Sequence, residues 1–311
     1  MSPITISQAC EIWLNRCHLE KLERATIHSY RSHIKHHIVP KIGSIVLTEL
    51  TAANVRQFLD DILRDSTRSN AKKSLTSLRS LISEAQERGY VQHNVAREVK
   101  LRQSQRHDPE RVFPSKAEIR LLLAKVPAQH RPLIVTAIMT GMRMSELRGL
   151  RWADVDFGNN VIRVRQRADR YNQIGVPKSR AGRRDIPMGG FLNKALDAWR
   201  ALCPAGADDL VFPNGIGKVQ SHSNFYSRVF KPLMTECGIV DENGKPRFSP
   251  HSLRHAAASL FIEQGWAPKK IQTLLGHSTI MMTFDVYGHL FNDPSKDVEL
   301  MDKMEQDLLA A

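Results

Sequence analysis

The chain has 311 residues, of which 41% are hydrophobic and 25% charged, so it can form two domains with buried cores and is not disordered by composition. Its 45 Lys and Arg against 32 Asp and Glu give a formal net charge of +13, which favours a polyanionic partner, nucleic acid before a membrane surface. The four cysteines lack zinc-ribbon spacing, and no signal peptide or membrane-spanning run is evident, so we expect a cytoplasmic protein.

The N-terminal third predicts a small bundle of four helices. Apolar residues recur there at three- and four-residue spacing, and each of the four stretches follows a residue that can cap a helix. Pro40 and Gly43 are expected to end the second helix, and Gly89 the fourth. The predicted starts, in chain order, are Thr5 or Ser7, Thr26, Thr51, and Ser69 or Asn70.

The rest of the chain predicts helices around a small antiparallel β-sheet. A polar, mostly charged stretch with Pro109 indicates a linker at residues 106–112. Helices are expected from Ser115, from Pro132 to Gly141, and from Ser145 to about Leu150. Strand-like alternation at 161–165, with Val176 to Lys178 and Arg184 to Pro187 flanking a turn, predicts about three strands. Helices resume at Phe191, so the fold class is mainly α with a small antiparallel sheet (α+β).

Four segments place polar residues where a core would not favour them. Arg143 follows an apolar helix that ends in Gly141, and the segment His251-Ser-Leu-Arg254-His255 begins another apolar helix. A Gly-His turn at 276–277 separates two further helices. Tyr287 comes ten residues after that histidine and precedes Gly-His. Each segment alone carries little information, but their order is difficult to obtain by chance.

As a set, these segments resemble the tyrosine recombinase family, the phage-integrase type of site-specific recombinase, over nearly the whole chain. The resemblance implies two domains: a helical core-DNA-binding domain at 1–105 and a catalytic domain at 113–311, joined by the linker at 106–112. It also implies an enzyme that cleaves and rejoins DNA through a 3′-phosphotyrosyl intermediate without metal, ATP or another cofactor. Such an enzyme would integrate and excise a phage or mobile element.

The resemblance carries the family's residue roles to six positions. Arg143 and Arg254 match the two catalytic arginines, and Tyr287 matches the nucleophile. His251 matches the histidine of the His-x-x-Arg box, and His277 matches the second histidine. The family's lysine from a β-hairpin is assigned to Lys178, the only lysine between Lys125 and Lys194.

These residue types suit phosphoryl transfer. Two guanidinium groups can donate paired hydrogen bonds to the non-bridging oxygens of a phosphodiester, and His277 can add a donor. A free tyrosine has a pKa of about 10, so nearby cations and a histidine that accepts its proton are needed to make Tyr287 a nucleophile. Lys178 is the expected general acid for the leaving 5′-oxygen.

The implied partners are double-stranded DNA and three further copies of the chain, which form a homotetramer on DNA. An accessory DNA-bending protein or an excisionase is a further partner of this kind of enzyme, and the DNA would be that of the bacterial nucleoid or the host cell. The C-terminal tail is amphipathic and would pack against a neighbouring subunit or its own active site, so that it couples cleavage to assembly. Its apolar positions are Val298, Met301, Met304, Leu308 and Leu309.

The sequence leaves several alternatives open. Glu146 either orients an active-site group or forms a helix salt bridge, and His255 and His289 are interpreted as packing or hydrogen-bonding residues. A metal pair at His251 and His255 is disfavoured because Ser252 stands where a metalloprotease motif needs glutamate. The functional alternatives are a non-catalytic DNA-binding regulator on the same fold and a type IB topoisomerase. The remaining arginines of the predicted hairpin are expected to contact phosphate: Arg180, Arg183 and Arg184.

Overall fold

The computed structural model describes residues 3–102, 113–291 and 294–309, with backbone alone for 294–297. The chain divides into two compact units, Met1–Glu110 and Arg111–Ala311. Both are mainly helical, and the second carries small antiparallel sheets, so the predicted fold class is confirmed. The predicted linker at 106–112 lies outside the described residues, and the domain boundaries at 105 and 113 stay predictions.

The N-terminal unit is a helical bundle around one apolar core. Thr5 and Thr51 each cap a helix in a reciprocal arrangement with the residue three positions on, which satisfies backbone N–H groups at the helix start. Phe58, Leu59 and Leu78 are fully buried where the helices meet. The helices are α1 (Ile6–Leu19), α2 (Arg24–His33), α3 (Val39–Ile42), α4 (Ala52–Asp65) and α5 (Arg68–Glu87).

Three predicted helix limits in this unit are wrong: the starts of the second and fourth helices, and the expectation that Pro40 ends the second. The second helix starts at Arg24 and runs past Pro40, because a π-helical stretch, Ile34–Ile38, joins α2 to α3. It ends at Gly43, as predicted for that glycine. Proline removes one hydrogen bond from an α-helix, and the wider turn before Pro40 carries the chain past that position. The fourth helix starts at Arg68, since the hydroxyl of Thr67 accepts the backbone N–H of Asn70.

The C-terminal unit packs its helices around a second core. Helix α12 lies against α7. The three alanines at 256–258 of α12 are fully buried; Ala256 belongs to the main core and Ala258 to the apolar cluster that contains Tyr287. The helices are α6 (Lys116–Lys125), α7 (Arg131–Thr140), α8 (Met144–Gly149), α9 (Gly190–Arg200), α10 (His222–Phe225), α11 (Lys231–Glu236), α12 (Ser252–Glu263), α13 (Pro268–Leu275), α14 (Met281–Tyr287) and α15 (Pro294–Leu309).

The main sheet has three antiparallel strands in the order β1-β2-β5. Strand β1 spans Val155–Asp156, β2 spans Val161–Val164 and β5 spans Arg184–Pro187. A separate pair joins β3 (Arg167–Ala168) to β4 (Ile174–Gly175).

The predicted pairing of Val176–Lys178 with Arg184–Pro187 is wrong, because β5 pairs with β2 instead. The register sets Ile162 opposite Ile186, and both side chains are buried in the core. Val176 is 61% exposed, whereas Ile162 and Val164 of β2 are fully buried in the core, so the observed pairing joins β5 to the strand that contributes to the core.

Within the described part of the chain, no helix combines the length and the apolar character that crossing a bilayer requires.

Candidate active site

Helix α14 presents one buried face. Thr283 and Tyr287 are one turn apart and are 0% and 1% exposed, whereas Met281 and Phe284 on the other side are exposed. The hydroxyl of Tyr287 lies 2.7 Å from Nδ1 of His255 on α12. The ring of Phe113 packs against both the Tyr287 and His255 rings, with centroids 5.7 Å and 5.4 Å away. The phenol is therefore held in place by aromatic packing and a hydrogen bond.

Helix α12 carries three of the polar residues in its first turns. His251 is its N-cap residue, and His255 follows one turn later on the same face, with the two rings edge-to-face at 4.9 Å. Arg254 is buried, and its Nη1 donates to the carbonyl oxygen of Gly141 at 2.7 Å. Because α12 packs on α7, this arginine reaches the C-terminal end of α7, where Gly141 lies.

Arg143 is the N-cap residue of α8 and reaches the end of a different helix. Its Nη2 donates to the carbonyl oxygen of Gly276, the residue that ends α13, at 2.9 Å. Gly141 and Gly276 both have left-handed backbone conformations, with φ of 63° and 65°. Each arginine is thus held by the carbonyl of a residue that ends a helix, and the left-handed backbone conformation at these two helix ends is what favours glycine there.

A buried carboxylate links Arg143 to the sheet. Glu146 accepts Nη1 of Arg143 at 2.8 Å, and it also accepts both terminal nitrogens of Arg184, at 3.0 Å and 2.9 Å. Arg184 is buried and donates Nε to the carbonyl of Leu274 at 2.5 Å. The expectation that Arg184 contacts phosphate is therefore wrong, because its guanidinium is used inside the protein; Arg180 and Arg183 are exposed.

His277 lies inside this cationic cluster. It is buried, and its Nδ1 is 2.9 Å from the hydroxyl of Thr283 on α14. Desolvation, together with the charges of Arg254 and Arg143, lowers the pKa of His277 to about 4. The ring is therefore neutral at pH 7, and with Nδ1 bonded to the Thr283 hydroxyl it can act as a neutral hydrogen-bond partner for an oxygen.

Positive charge is concentrated at the site. Desolvation and the charge of Arg143 lower the pKa of Arg254 to about 9, which still leaves it charged at neutral pH. Loss of hydration, then the charges of Arg254 and Arg143, lowers the pKa of His251. For Glu146, burial acts to raise the pKa, but the hydrogen bond and charge of Arg184 outweigh it and lower the pKa. These shifts indicate a region that would be stabilised by a bound anion.

Lys178 is exposed and lies between β4 and the 3-10 turn Arg180–Gly182. This segment packs beside the Gly276–His277 turn, because a Cβ on Gly276 would lie 2.8 Å from the carbonyl oxygen of Ala181. The contacts thus bring together five of the six predicted residues and place the segment of the sixth, Lys178, next to them. The five are Arg143, His251, Arg254, His277 and Tyr287.

Three residues of the site were not identified as such from the sequence. His255 was interpreted as a packing or hydrogen-bonding residue, although its position one turn after His251 put it on the same helix face. Thr283 lies one turn before Tyr287, and the same spacing argument could have found it. Arg184 gave no signal, because its partner Glu146 is 38 residues away in the sequence.

The geometry supports a specific chemical step. Arg143 and Arg254 converge with His277 around the two glycine-terminated helix ends, and they can donate hydrogen bonds to the oxygens of a phosphate. Tyr287 supplies an oxygen nucleophile beside them, with Nδ1 of His255 2.7 Å from that oxygen. The arrangement suits attack of a phenolate on a phosphodiester.

Protein-family models match both parts of the chain. Residues 114–293, more than half of the chain, match the phage integrase family. Residues 5–63 match the N-terminal SAM-like domain of phage integrases.

The individual relatives share less than 30% sequence identity with this chain over the matched residues. The transposase from transposon Tn916 of Enterococcus faecalis is 27% identical over 64% of this chain and 53% of its own length, so the chain spans about half of that relative. Tyrosine recombinase XerC of Xanthomonas axonopodis pv. citri is 28% identical over 78% of this chain and 74% of its own. Among solved structures, the Tn1549 transposon integrase in complex with a circular intermediate DNA matches with a TM-score of 0.80 at 22% identity. That match covers 96% of this chain and 99% of the other and shows a shared fold.

Proposed function

The chain belongs to the phage integrase family, and we propose that it is a site-specific DNA recombinase that cleaves and rejoins DNA through a 3′-phosphotyrosyl intermediate. The observation that carries the proposal is the position of the buried Tyr287 beside the convergent Arg143, Arg254 and His277. The relatives' names, a transposase and a tyrosine recombinase, support the same activity, as does the solved complex of the Tn1549 integrase with DNA.

In this proposal the two arginines bind the scissile phosphate. Their outward N–H groups donate to the non-bridging oxygens, while the carbonyls of Gly141 and Gly276 hold the guanidinium planes in position. His277 and His251 complete the set of groups around those oxygens. Removing one such donor typically raises a barrier by roughly 3–4 kcal/mol, by analogy with oxyanion-hole deletions.

Tyr287 attacks the phosphorus, and the leaving 5′-oxygen takes a proton from Lys178, the proposed general acid. The product conserves the phosphodiester as a phosphotyrosyl ester, so a 5′-hydroxyl from a second DNA strand can reverse the attack. No ATP is needed for rejoining, because no phosphodiester energy is lost to water. This reversibility is what exchange of strands between two sites requires.

Double-stranded DNA is the proposed substrate, and a homotetramer the proposed working assembly. The net charge of +13 supports binding to phosphate. Helix α15 supports assembly, because it leaves a row of apolar side chains exposed in the described structure, and a neighbouring subunit can cover such a row. Those side chains are Val298, Met301, Met304, Leu308 and Leu309.

The proposal is tested with DNA taken from the sequence that flanks the encoding gene, prepared as nicked duplexes that trap the cleaved state. In EDTA and without ATP, we expect a covalent protein–DNA adduct that survives SDS and forms at one sequence. Binding without an adduct would instead indicate a regulator on the same fold. Relaxation of any supercoiled plasmid, without a site preference, would indicate a topoisomerase. A variant that ends at Phe291 tests assembly, since unchanged tetramers and rates would refute the role of α15.

A further inference from the structure

We propose that His255 is a further catalytic residue, whose Nδ1 atom takes the proton of the Tyr287 hydroxyl as the tyrosine attacks the DNA phosphate. This inference rests on the proposed recombinase function and deepens it. The resemblance to the family assigned roles to His251 and His277, whereas His255 was expected only to pack or to form a hydrogen bond.

The geometry of the pair suits proton transfer. Nδ1 of His255 lies 2.7 Å from the hydroxyl oxygen of Tyr287, within the reach that a general base needs. Both residues sit in helices, the base in the second turn of α12 and the tyrosine at the end of α14. Phe113 packs against both rings, so neither can turn away without disturbing the apolar cluster that contains Tyr287.

Two other histidines of the site, His277 and His251, lie in different surroundings. Nδ1 of His277 is bonded to Thr283, and the ring lies among the arginines, where desolvation and positive charge lower its pKa to about 4 and make it a weak base. His251 is exposed at the start of α12, where it can meet incoming DNA. Its ring edge-packs on His255, which restricts the orientation of the His255 ring.

The proton and electron pairs balance over the step. The O–H bond of Tyr287 breaks and an N–H bond forms at Nδ1 of His255, giving an imidazolium. The phenolate oxygen forms a bond to phosphorus, the bond from phosphorus to the 5′-oxygen breaks, and Lys178 protonates that oxygen. In rejoining, His255 returns its proton to the departing tyrosine, so one residue serves as base in cleavage and as acid in rejoining.

The surroundings determine when this transfer is favourable. In the described part of the chain, the groups that face His255 include Tyr287 from α14, His251 from its own helix, His277 from the turn before α14 and the Phe113 ring. A bound phosphodiester brings negative charge into the same region, which stabilises the imidazolium formed when Tyr287 gives up its proton. Proton transfer is therefore coupled to the presence of DNA.

The test uses the full chain and a nicked duplex that the wild-type chain cleaves. His255→Asn places an amide where Nδ1 lies, so it can keep a hydrogen bond to Tyr287 but cannot take up a proton. We expect adduct formation at pH 7 to slow by about 10²- to 10⁴-fold, the usual contribution of a general base, with unchanged DNA affinity. The rate of the variant should rise in proportion to hydroxide as the pH approaches the tyrosine pKa of about 10, whereas the wild-type rate levels off.

Two further variants separate catalysis from packing. Imidazole added to His255→Ala should restore adduct formation in proportion to its concentration. His289→Asn is the matched control, because His289 stacks on the same Phe113 ring at 6.0 Å, and we expect the wild-type rate. A wild-type rate in His255→Asn, or a loss that neither pH nor imidazole relieves, overturns the inference alone. Absence of any adduct in the wild type overturns the proposed function and the inference with it.

Discussion

Arg184 and Glu146 form a two-point ion pair in the interior of the C-terminal unit, with nitrogen–oxygen distances of 3.0 Å and 2.9 Å. Both side chains are 3% exposed, and the pair joins strand β5 to helix α8. Glu146 also holds Nη1 of Arg143, so this pair fixes the orientation of an arginine proposed to bind phosphate. The sheet is thereby connected to the site through one carboxylate.

Arg184→Ala should destabilise the protein strongly, because it leaves the charge of Glu146 buried with less compensation. Breaking a buried pair in this way typically costs about 3–5 kcal/mol. The matched control is Lys116→Ala, which removes a pair with Glu263 whose members are 47% and 48% exposed, and for which we expect about 0–1 kcal/mol. Urea unfolding of both variants measures the difference. Equal losses would show that the Arg184 pair contributes no more than a surface contact.

Gly276→Ala should impair both folding and cleavage. The φ of 65° is unfavourable for alanine, and the new Cβ would lie 2.8 Å from the carbonyl oxygen of Ala181 and 2.9 Å from Nη1 of Arg184. Gly265→Ala is the control, because Gly265 has a φ of 71° and open space around its Cβ position. That control should lose about 1–2 kcal/mol from backbone strain alone. In thermal unfolding, we expect Gly276→Ala to lose more stability than Gly265→Ala, and we expect it to form the adduct more slowly. Equal stability losses in the two variants would contradict the close packing around Gly276.

His277 should make stability depend on pH below neutrality. Its folded pKa of about 4 lies below the pKa of about 6.5 of an unfolded histidine, so the unfolded chain binds more protons between these values. The free energy of unfolding contributed by His277 is thus fully present above pH 6.5 and falls as the pH approaches 4. His277→Asn, which can keep the hydrogen bond to Thr283, should lose less stability than wild type between pH 7 and pH 5 in urea unfolding. If His277→Asn lost as much stability between pH 7 and pH 5 as the wild type, groups other than His277 would cause the loss.

The sequence predicted the elements that local patterns determine and failed where distant residues decide. Thr5, Thr51 and Ser115 were correct as helix caps, because capping involves residues three positions apart. Strand Arg184–Pro187 was placed correctly but given the wrong partner, since the choice of β2 depends on which side chains the core buries together. The π-helical stretch before Pro40 gave no local signal either.

In the candidate site, too, the sequence predicted local features and missed contacts between distant residues. The motif segments were identifiable because each lies at a helix end with recognisable capping or glycine residues. The contacts between segments were not, since Arg143 reaches Gly276 across 133 residues and Arg254 reaches Gly141 across 113. The role of Lys178 stays a prediction, because the structure places its segment beside the Gly276–His277 turn without assigning its chemistry.

Lys178→Ala should slow cleavage by about 10²- to 10⁴-fold if Lys178 protonates the leaving 5′-oxygen. A substrate with sulfur in place of that oxygen needs no such proton, because a thiol has a pKa of only about 8.5. The sulfur substrate should therefore restore the rate of Lys178→Ala but not that of His255→Asn, as measured by adduct formation. Lys194→Ala on α9 serves as the control. If Lys178→Ala cleaved the sulfur substrate as slowly as the oxygen substrate, Lys178 would not be the general acid.

In the proposed reaction, the oxygen of Tyr287 becomes bonded to DNA. The most direct measurement is to isolate the covalent adduct formed on a nicked duplex in EDTA, digest it with protease and nuclease, and locate the nucleotide-bearing peptide by mass spectrometry. We expect a phosphotyrosyl linkage to a DNA 3′ end at Tyr287 and no adduct in Tyr287→Phe, although that variant still binds the DNA. An adduct on another residue, or one that persists in Tyr287→Phe, would contradict it.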